Sequence, residues 1–396
     1  ERRGNSQRLT PEIDLMNTRK IWQRFDFLLF AVVLLLCVFG VALISSAIAG
    51  NPTLEEHPQR QAVFLGIGLV VLFLVAAFDY HVWTTLSKPF YLFVGILLLI
   101  VFVMGGERFG AARWLETGLV TIQPAELSKI AIIMSLASYF SANIERINNW
   151  LTIGRSLLIT LGIVTWILLQ PNLSTSIVIF VIWAAMLWIS GLKTKYILIM
   201  AGAAAFFLLV SFALDFPYLA DYQKARITNF LQPDENARHG ETYNVEQALI
   251  SIGAGGWFGN GYGQGSQVQL RFLKIRHNDF IFSVLANEFG FVGTVLVIAG
   301  LVFVIVRCFK VAQDAPDAYG ALIAYGFGVL MGFQTIVNVG VNLRLLPVTG
   351  LTLPFISYGG SSLVSMLLGI GLVENVHMRS QPKQGTGNRE LETGNY

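Results

Sequence analysis

The sequence predicts an all-α, polytopic membrane protein with ten transmembrane helices. Hydrophobic residues make up 54% of the 396 residues, charged residues make up 13%, and the mean hydropathy is +0.62. A soluble domain carries about 25% charged residues. The apolar residues also form long uninterrupted runs, which is the pattern of membrane-spanning helices. The net charge of +3 is too small to indicate a nucleic-acid partner.

Ten apolar runs are long enough to be read as spans, although the fourth, fifth and tenth are short. They are Phe27–Ala47, Ala62–Phe78, Pro89–Met104, Leu127–Phe140, Ser156–Leu169, Leu173–Ile189, Tyr196–Leu214, Phe280–Val306, Tyr319–Val341 and about Leu363–Val373. These runs predict a membrane domain at 27–376 between an N-terminal tail at 1–26 and a polar, disordered tail at 377–396.

Basic residues predict the orientation of the spans. With a cytoplasmic N-terminus, every inner loop carries a positive charge, as the positive-inside rule requires. These residues are Lys88, Arg146, Arg155, Lys193, Lys195, Arg307 and Lys310. We therefore predict that both termini are cytoplasmic.

A large polar loop is predicted on the outer side, between the seventh and eighth spans, at residues 215–278. A loop of this length within a compact protein is usually functional or disordered. The apolar stretch 248–252 predicts partial order. The glycine cluster 253–265 could cradle a phosphate through backbone N–H groups, or it could simply be a tight flexible loop.

Asp279 stands where this polar loop ends and the eighth apolar run begins. A carboxylate at such a boundary is costly unless it is paired or functional, so Asp279 is the leading catalytic candidate. It could act as a general base on a sugar hydroxyl. The alternative is a helix N-cap, because aspartate at a helix start satisfies free backbone N–H groups. The neighbouring Lys274 and Arg276 are candidates for substrate binding.

The segment Gln123–Lys129 is a second candidate site. Glu126 and Lys129 are three residues apart and therefore share one face of the fourth span. They could form a structural ion pair within the bundle, or they could line a polar cavity with Lys129 facing a phosphate. Arg113, just upstream, would add another cation to that cavity.

Glu288 is a further acid within the eighth span. Nine residues separate it from Asp279, which is about two and a half helical turns, so a regular helix would place the two acids on opposite faces. We therefore do not predict a catalytic pair. Because Asn287, Glu288 and Gly290 interrupt an apolar run, we predict a packed polar contact or a kink there.

The segment Leu346–Ser362 predicts a re-entrant loop before the tenth span. It is mostly apolar, yet its prolines and glycines prevent a regular helix. Irregular backbone at membrane depth must be buried in protein or line a cavity. Ser357 and Tyr358 in this loop are therefore candidates for substrate binding.

Several chemistries have no motif in this sequence. There is no pair of aspartates separated by one residue to hold a metal for a nucleotide sugar, and no P-loop for ATP. The histidines are scattered without ligand spacing, so no metal site is predicted.

Three segments together resemble the signature blocks of the SEDS family, the shape, elongation, division and sporulation proteins. They are Gln123–Lys129, Arg276–Gly290 and Leu346–Ser362. The resemblance covers the chain from the first span to the tenth. Within the family, residues 265–273 and 346–350 are most similar to the elongation member, while residues 351–358 are shared with the division member.

The resemblance implies a peptidoglycan glycosyltransferase that polymerises lipid II at the outer face of the bacterial cytoplasmic membrane. It implies that Asp279 is the essential acid, and it matches Glu126 and Lys129 to a polar pair of the fourth span. It also implies as partners a class B penicillin-binding protein, other cell-wall elongation proteins and membrane lipids. The chain departs from the family pattern at Asn172, Asn278 and Asn287, where aspartate, threonine and glutamate are usual.

The implied mechanism is an inverting transfer. Asp279 would deprotonate the acceptor 4-hydroxyl, and undecaprenyl pyrophosphate would leave, stabilised by cations such as Lys129, Arg113 or Arg276. A divalent cation, Mg²⁺ or Mn²⁺, could share that role.

Two other classes of function remain open. A polytopic protein with charges inside its spans could move lipid II across the bilayer. A noncatalytic scaffold for the penicillin-binding protein does not account for these charges. The candidate residues all map to the outer side, which favours the enzyme.

Overall fold

The protein is described by a computed structural model, whose helices match the predicted spans. The described residues are 22–50, 52, 54–104, 114–116, 121–213, 226, 228–232, 240–265 and 278–380. The helices are α1 (Phe27–Ile48), α2 (His57–Ala77), α3 (Tyr80–Met104), α4 (Pro124–Ala142), α5 (Trp150–Leu169), α6 (Leu173–Ile189), α7 (Thr194–Ala213), α8 (Glu241–Ala254), α9 (Ile281–Asp314), α10 (Ala318–Asn342) and α11 (Gly360–Arg379). A two-stranded antiparallel ribbon, β1 (Leu115–Glu116) with β2 (Thr121–Ile122), precedes α4.

Each of the ten predicted spans falls on a helix, and α8 is an additional helix within the predicted outer loop. In the part of the chain that the structure describes, seven helices are long and apolar enough to cross a membrane. The all-α, polytopic fold class is therefore confirmed. The predicted orientation of the termini stays a prediction.

Helix starts are fixed by short polar side chains. Asp26, Asn149, Asn172 and Asp317 each accept a hydrogen bond from a backbone N–H in the first turn of α1, α5, α6 and α10. Such a cap stabilises a helix by about 1 kcal/mol. Asn172, one of the departures from the family pattern, therefore has a structural role at the start of α6.

Several helices extend well beyond the apolar runs that predicted them; α9, for example, continues past Val306 to Asp314. The third predicted span began at Pro89, but α3 begins at Tyr80 and contains Pro89. The tenth was predicted to end near Val373, but α11 continues to Arg379, into the predicted tail. The polar residues that the hydropathy pattern excluded are satisfied inside the protein. Glu374, for example, is fully buried and accepts a hydrogen bond from the backbone N–H of Asp26.

The core lies around α10 and α11, the two most buried of the candidate spans. Glycines allow close approach of helices there. A Cβ on Gly371 of α11 would lie 2.7 Å from the carbonyl oxygen of Leu72 in α2. A Cβ on Gly328 of α10 would lie 2.9 Å from Phe309 of α9, so this glycine packs helices within the bundle.

Candidate functional site

Asp279 lies in a turn formed by residues 278–280, directly before α9, and its side chain is partly buried. The N-cap position of α9 belongs to Phe280, which makes no side-chain capping hydrogen bond. Asp279 lies one residue before this position, so the helix boundary does not place it at the N-cap. We call the end of the bundle where this turn lies the site end, and the other end the opposite end.

Two amides of α10 hold the backbone beside this carboxylate. The Nδ2 atoms of Asn338 and Asn342 donate to the carbonyl oxygen of Asp279 at 3.1 and 2.9 Å. The two asparagines are four residues apart, so they lie on one helix face. Asn342 also accepts a hydrogen bond from the backbone N–H of Ser283, in the first turn of α9, at 3.3 Å. The main chain of Asp279 is thus tied to α10.

The segment before α11 contacts the same turn, and its backbone is irregular as predicted. The hydroxyl of Ser357 donates to the carbonyl oxygen of Asn278 at 2.8 Å and accepts from the backbone N–H of Leu353 at 2.8 Å. A Cβ on Gly350 would lie 3.8 Å from Oδ2 of Asp279. The backbone at Gly350 therefore passes close to the carboxylate.

Gln61 of α2 holds the segment before α11 through two hydrogen bonds. Its side-chain amide donates to the carbonyl oxygen of Ser357 at 3.3 Å and accepts from the backbone N–H of Gly359 at 3.2 Å. The ring of Tyr358 packs against His57, with 4.4 Å between ring centroids. Ser357 and Tyr358 are thus brought to the site, but the hydroxyl of Ser357 is engaged with the backbone. Its predicted binding of substrate stays a prediction.

Glu126 and Lys129 form an ion pair inside the bundle. The Nζ atom of Lys129 lies 2.8 Å from Oε2 of Glu126, and the lysine side chain is fully buried. This geometry matches the structural reading of the pair. Lys129 does not face an open cavity in this state, so binding of a phosphate by Lys129 stays a prediction without support from the geometry.

The start of α4 is joined to the start of α11. The backbone N–H of Gln123 donates to the hydroxyl of Ser361 at 2.9 Å, and this hydroxyl lies 3.3 Å from the carbonyl oxygen of Thr121. All three signature blocks therefore meet at the site end. This convergence could not be read from their positions along the chain.

Glu288 lies apart from Asp279, as predicted, at a break in α9. Its carboxylate accepts a hydrogen bond from the hydroxyl of Ser46 in α1. Gly290 has non-helical angles, φ 65° and ψ −165°, which only glycine adopts readily. The predicted polar contact and kink are both present.

The glycine cluster packs against this break. Its backbone N–H groups at Asn260 and Gly261 donate to the carbonyl oxygens of Asn287 and Glu288, each at 3.0 Å. In return, the N–H groups of Phe291 and Val292 donate to the carbonyls of Gly256 and Trp257. The N–H groups of Asn260 and Gly261 are therefore not available to cradle a phosphate, which was one of the two roles left open for this cluster.

Three predicted substrate-binding residues, Arg113, Lys274 and Arg276, lie outside the described residues. Among the described residues, no group of three or more His, Cys, Asp or Glu side chains could hold a metal ion.

The sequence analysis missed the residues that position Asp279: Asn338, Asn342 and Gln61. A signal existed for the first two, because two amides four residues apart stand at the end of the ninth apolar run, Asn338 within it and Asn342 directly after it. Nothing in the sequence indicated that Gln61 contacts residues almost 300 positions away.

Comparison with known proteins supports the resemblance. The profile of the FtsW/RodA/SpoVE family, described as cell cycle protein, matches residues 26–382. A probable peptidoglycan glycosyltransferase FtsW of Geobacter sp. (strain M18) is 32% identical, covering 90% of this chain and 97% of that protein. Stage V sporulation protein E of Bacillus subtilis (strain 168) is 34% identical, covering 90% and 98%.

Two solved structures share the fold. One is a chain of a peptidoglycan synthase complex, from work on the coordination of polymerisation and crosslinking. It has a TM-score of 0.76 and 33% identity, over 89% of this chain and 97% of that one. The other is the rod shape determining protein RodA of Thermus thermophilus, with a TM-score of 0.67 and 31% identity, over 90% and 98%. The predicted resemblance and the predicted enzyme class, a peptidoglycan glycosyltransferase, are confirmed.

Proposed function

The chain belongs to the FtsW/RodA/SpoVE family of cell cycle proteins, and from this premise we propose that it polymerises lipid II into glycan strands at the outer face of the cytoplasmic membrane. The observation that carries the proposal is the setting of Asp279. Its carboxylate is next to the backbone of Gly350, and its own backbone is held by two amides. A positioned carboxylate of this kind suits a general base.

The reaction needs one proton transfer and one displacement. Asp279 accepts the proton of the acceptor 4-hydroxyl as that oxygen forms a bond to the anomeric carbon of the donor. The bond from this carbon to the pyrophosphate breaks, and undecaprenyl pyrophosphate leaves with the electron pair. Because the attack comes from the face opposite the leaving group, the anomeric configuration inverts.

Charge must be balanced at the leaving pyrophosphate. Arg113, Lys274 and Arg276 are retained as proposed binding residues, together with Gln123, Glu126 and Tyr358 at the site end. A Mg²⁺ or Mn²⁺ ion is proposed to bind through the pyrophosphate itself, since the described residues offer no complete ligand set. No step of the mechanism is assigned to that ion.

The cellular role is proposed to be elongation. Residues 265–273 and 346–350 support this, because they are most similar to the elongation member, RodA. Division is the second candidate. It is favoured by the frequency of the name FtsW among the curated relatives and by residues 351–358, which are shared with the division member. The chemistry is the same in either role.

A class B penicillin-binding protein is the proposed partner, with other elongation proteins as further partners. The structural neighbour from a peptidoglycan synthase complex supports this proposal. The exposed apolar side chains of α9 and α10, such as Leu296 and Ile336, each 68% exposed, offer a surface within the membrane for a partner helix or for lipid.

The proposal is tested by glycan polymerisation from purified lipid II in detergent, with and without the cognate penicillin-binding protein. We expect Asp279→Asn to lower the rate by about 10²–10⁴-fold, because a positioned general base typically contributes that factor. The matched control is Asp314→Asn, the same change at the other end of α9, which we expect to polymerise at the wild-type rate.

Equal rates for the wild-type protein and a folded Asp279→Asn variant would remove Asp279 as the base. If the wild-type protein makes no polymer under any condition, the glycosyltransferase proposal is wrong for this chain, and lipid II transport across vesicle membranes becomes the next assay.

A further inference from the structure

We infer that a pocket at the site end, with Arg226 and Arg344 in its walls, binds a phosphate or pyrophosphate group of the lipid-linked substrate. The inference rests on the proposed function, because it assigns one part of that substrate to a place in the protein. Neither arginine belongs to the three signature blocks.

The pocket forms where three segments of the site end meet. The segment containing Arg226 and Asn229 supplies one wall, α8 supplies Thr242, and the chain after α10 supplies Arg344 and the apolar run Leu346–Val348. The polar groups are two guanidinium groups, an amide and a hydroxyl. No carboxylate is present among the described residues that line it.

This set of side chains suits an oxyanion. A guanidinium is permanently charged and presents paired N–H donors that match two phosphate oxygens. The Asn229 amide and the Thr242 hydroxyl can donate as well. The apolar wall from Leu346 to Val348 suits the sugar or lipid part of an amphiphilic substrate better than a free ion.

The backbone of Arg344 has a strained conformation, which a glycine at this position would relieve. Its φ is +55°, in the left-handed region, directly after the C-cap of α10. Glycine is the usual residue where a helix ends in this conformation. A non-glycine residue costs about 1 kcal/mol or more there, and such strain clusters at functional sites.

The pocket and Asp279 share one stretch of chain. Asn342, which holds the carbonyl of Asp279, precedes Arg344 by two residues. The chain runs on from the apolar wall through Thr349 to Gly350, which is next to the carboxylate. A phosphate held by Arg344 would therefore lie at the same end of the bundle as the base, at the level where the helices end and a lipid headgroup is expected.

The first measurement is binding of inorganic pyrophosphate to the purified full-length chain by isothermal titration. We expect Arg344→Gly to weaken binding at least about 10-fold, because one good charged contact contributes about 1.4 kcal/mol or more. Its thermal unfolding midpoint should be equal or higher, since glycine relieves the backbone strain. Arg344→Lys keeps the charge and loses the paired donors, so it should bind with intermediate affinity.

The second measurement is lipid II polymerisation. Arg344→Gly should raise KM for lipid II by about the same factor as the loss of pyrophosphate affinity, with a small change in kcat. Arg146→Ala, which removes an exposed arginine at the opposite end, is the matched control and should leave both constants unchanged.

The outcomes separate this inference from the proposed function. Unchanged pyrophosphate affinity and KM in Arg344→Gly would overturn the pocket, whatever Asp279 does. Tighter binding of N-acetyl-D-alanyl-D-alanine than of pyrophosphate would also overturn it, because the pocket would then select a peptide carboxylate. If the wild-type protein makes no polymer but Arg344→Gly still loses pyrophosphate binding, the phosphate site stands and the proposed function fails.

Discussion

The backbone of Asp279 is held in place through its carbonyl oxygen. Asn338 and Asn342 both donate to that oxygen, and Asn338 also donates to the carbonyl of Leu351 at 2.8 Å. A single residue of α10 thus joins the turn before α9 to the segment before α11. Small displacements of a catalytic group cost rate steeply, so these amides are positioning residues for the proposed base.

We expect the two amides to be synergistic. Either one alone retains a hydrogen bond to the Asp279 carbonyl, so Asn338→Ala and Asn342→Ala should each lower kcat by less than about 10-fold. The double variant should lose about 100-fold, more than the product of the single effects, with little change in KM for lipid II. A double-mutant cycle on polymerisation, with unfolding midpoints measured alongside, checks this. Strictly multiplicative effects would show that the amides act independently.

Asp279 could be predicted from the sequence, because an acid at a membrane boundary is energetically costly unless it is paired or functional. The sequence did not allow Asn338, Asn342 or Gln61 to be predicted. An amide inside a span is compatible with many packing contacts, and its partner here is a backbone carbonyl, which has no sequence signature. For Glu126 and Lys129 the spacing predicted the pair, but only the burial of Lys129 separates an ion pair from an open cavity wall.

At the scale of elements, the backbone hydrogen bonds of α9 are interrupted, and another segment of the chain supplies the missing partners. Gly290 interrupts the helical hydrogen bonds, and the glycine cluster after α8 supplies replacement partners on both sides of the break. An unsatisfied backbone group within a membrane costs several kcal/mol, which explains why the two segments are found together. The segment that carries the glycine cluster is thereby fastened to α9.

We expect Gly290→Ala to destabilise the protein by about 1–3 kcal/mol through its backbone angles alone. An added Cβ would also lie 2.3 Å from the backbone nitrogen of Gly259, so the outer loop should detach as well. Limited proteolysis between α8 and α9 and the unfolding midpoint in detergent measure the two effects.

The matched control for this change is Gly332→Ala in α10. A Cβ there meets its nearest neighbour, Ile305, only at 3.9 Å, and alanine favours a helix. It should leave stability equal or higher. Equal proteolysis of Gly290→Ala and the wild-type protein would show that the break does not hold the loop.

The elements were largely predictable because hydropathy and length identify a span without any tertiary information. The irregular segment before α11 followed from its prolines and glycines. The hydrogen bonds between the glycine cluster and α9 could not be predicted from the sequence, because they join backbone groups about 30 residues apart. Polar helix ends, such as Tyr80–Lys88 in α3, were missed because hydropathy counts them as loop although they are helical.

At the scale of the whole molecule, ion pairs join different helices at the opposite end, whereas the Glu126–Lys129 pair at the site end lies within α4. The site end contains the left-handed residues Arg344, Phe355 and Gly350. The opposite end is held by charged contacts. At that end, the Asp79 side chain is 50% exposed. Its partial desolvation raises its pKa, but hydrogen bonds from His81 and the charge of Arg379 lower the pKa overall. Its contribution to stability is therefore present above the unfolded pKa and is lost as pH falls through the folded pKa.

The strongest of these contacts joins three helices. Asp26 caps α1 through Leu29, its carboxylate pairs with Arg307 of α9, and its backbone N–H donates to Glu374 of α11. The Asp26 side chain is 5% exposed and that of Arg307 is 23% exposed. A pair with this burial is costly to break from one side, because the remaining charge loses its partner.

We expect Asp26→Ala to lower stability by about 3–4 kcal/mol, from the unpaired Arg307 and the lost cap. Asp26→Asn keeps a capping oxygen and loses the charge, so its unfolding midpoint should lie between those of Asp26→Ala and the wild-type protein. KM for lipid II, measured on folded protein below both midpoints, should be unchanged, because this pair is at the opposite end from Asp279. A raised KM at full folding would show that the two ends are coupled, and equal midpoints for all three proteins would show that the pair does not stabilise the bundle.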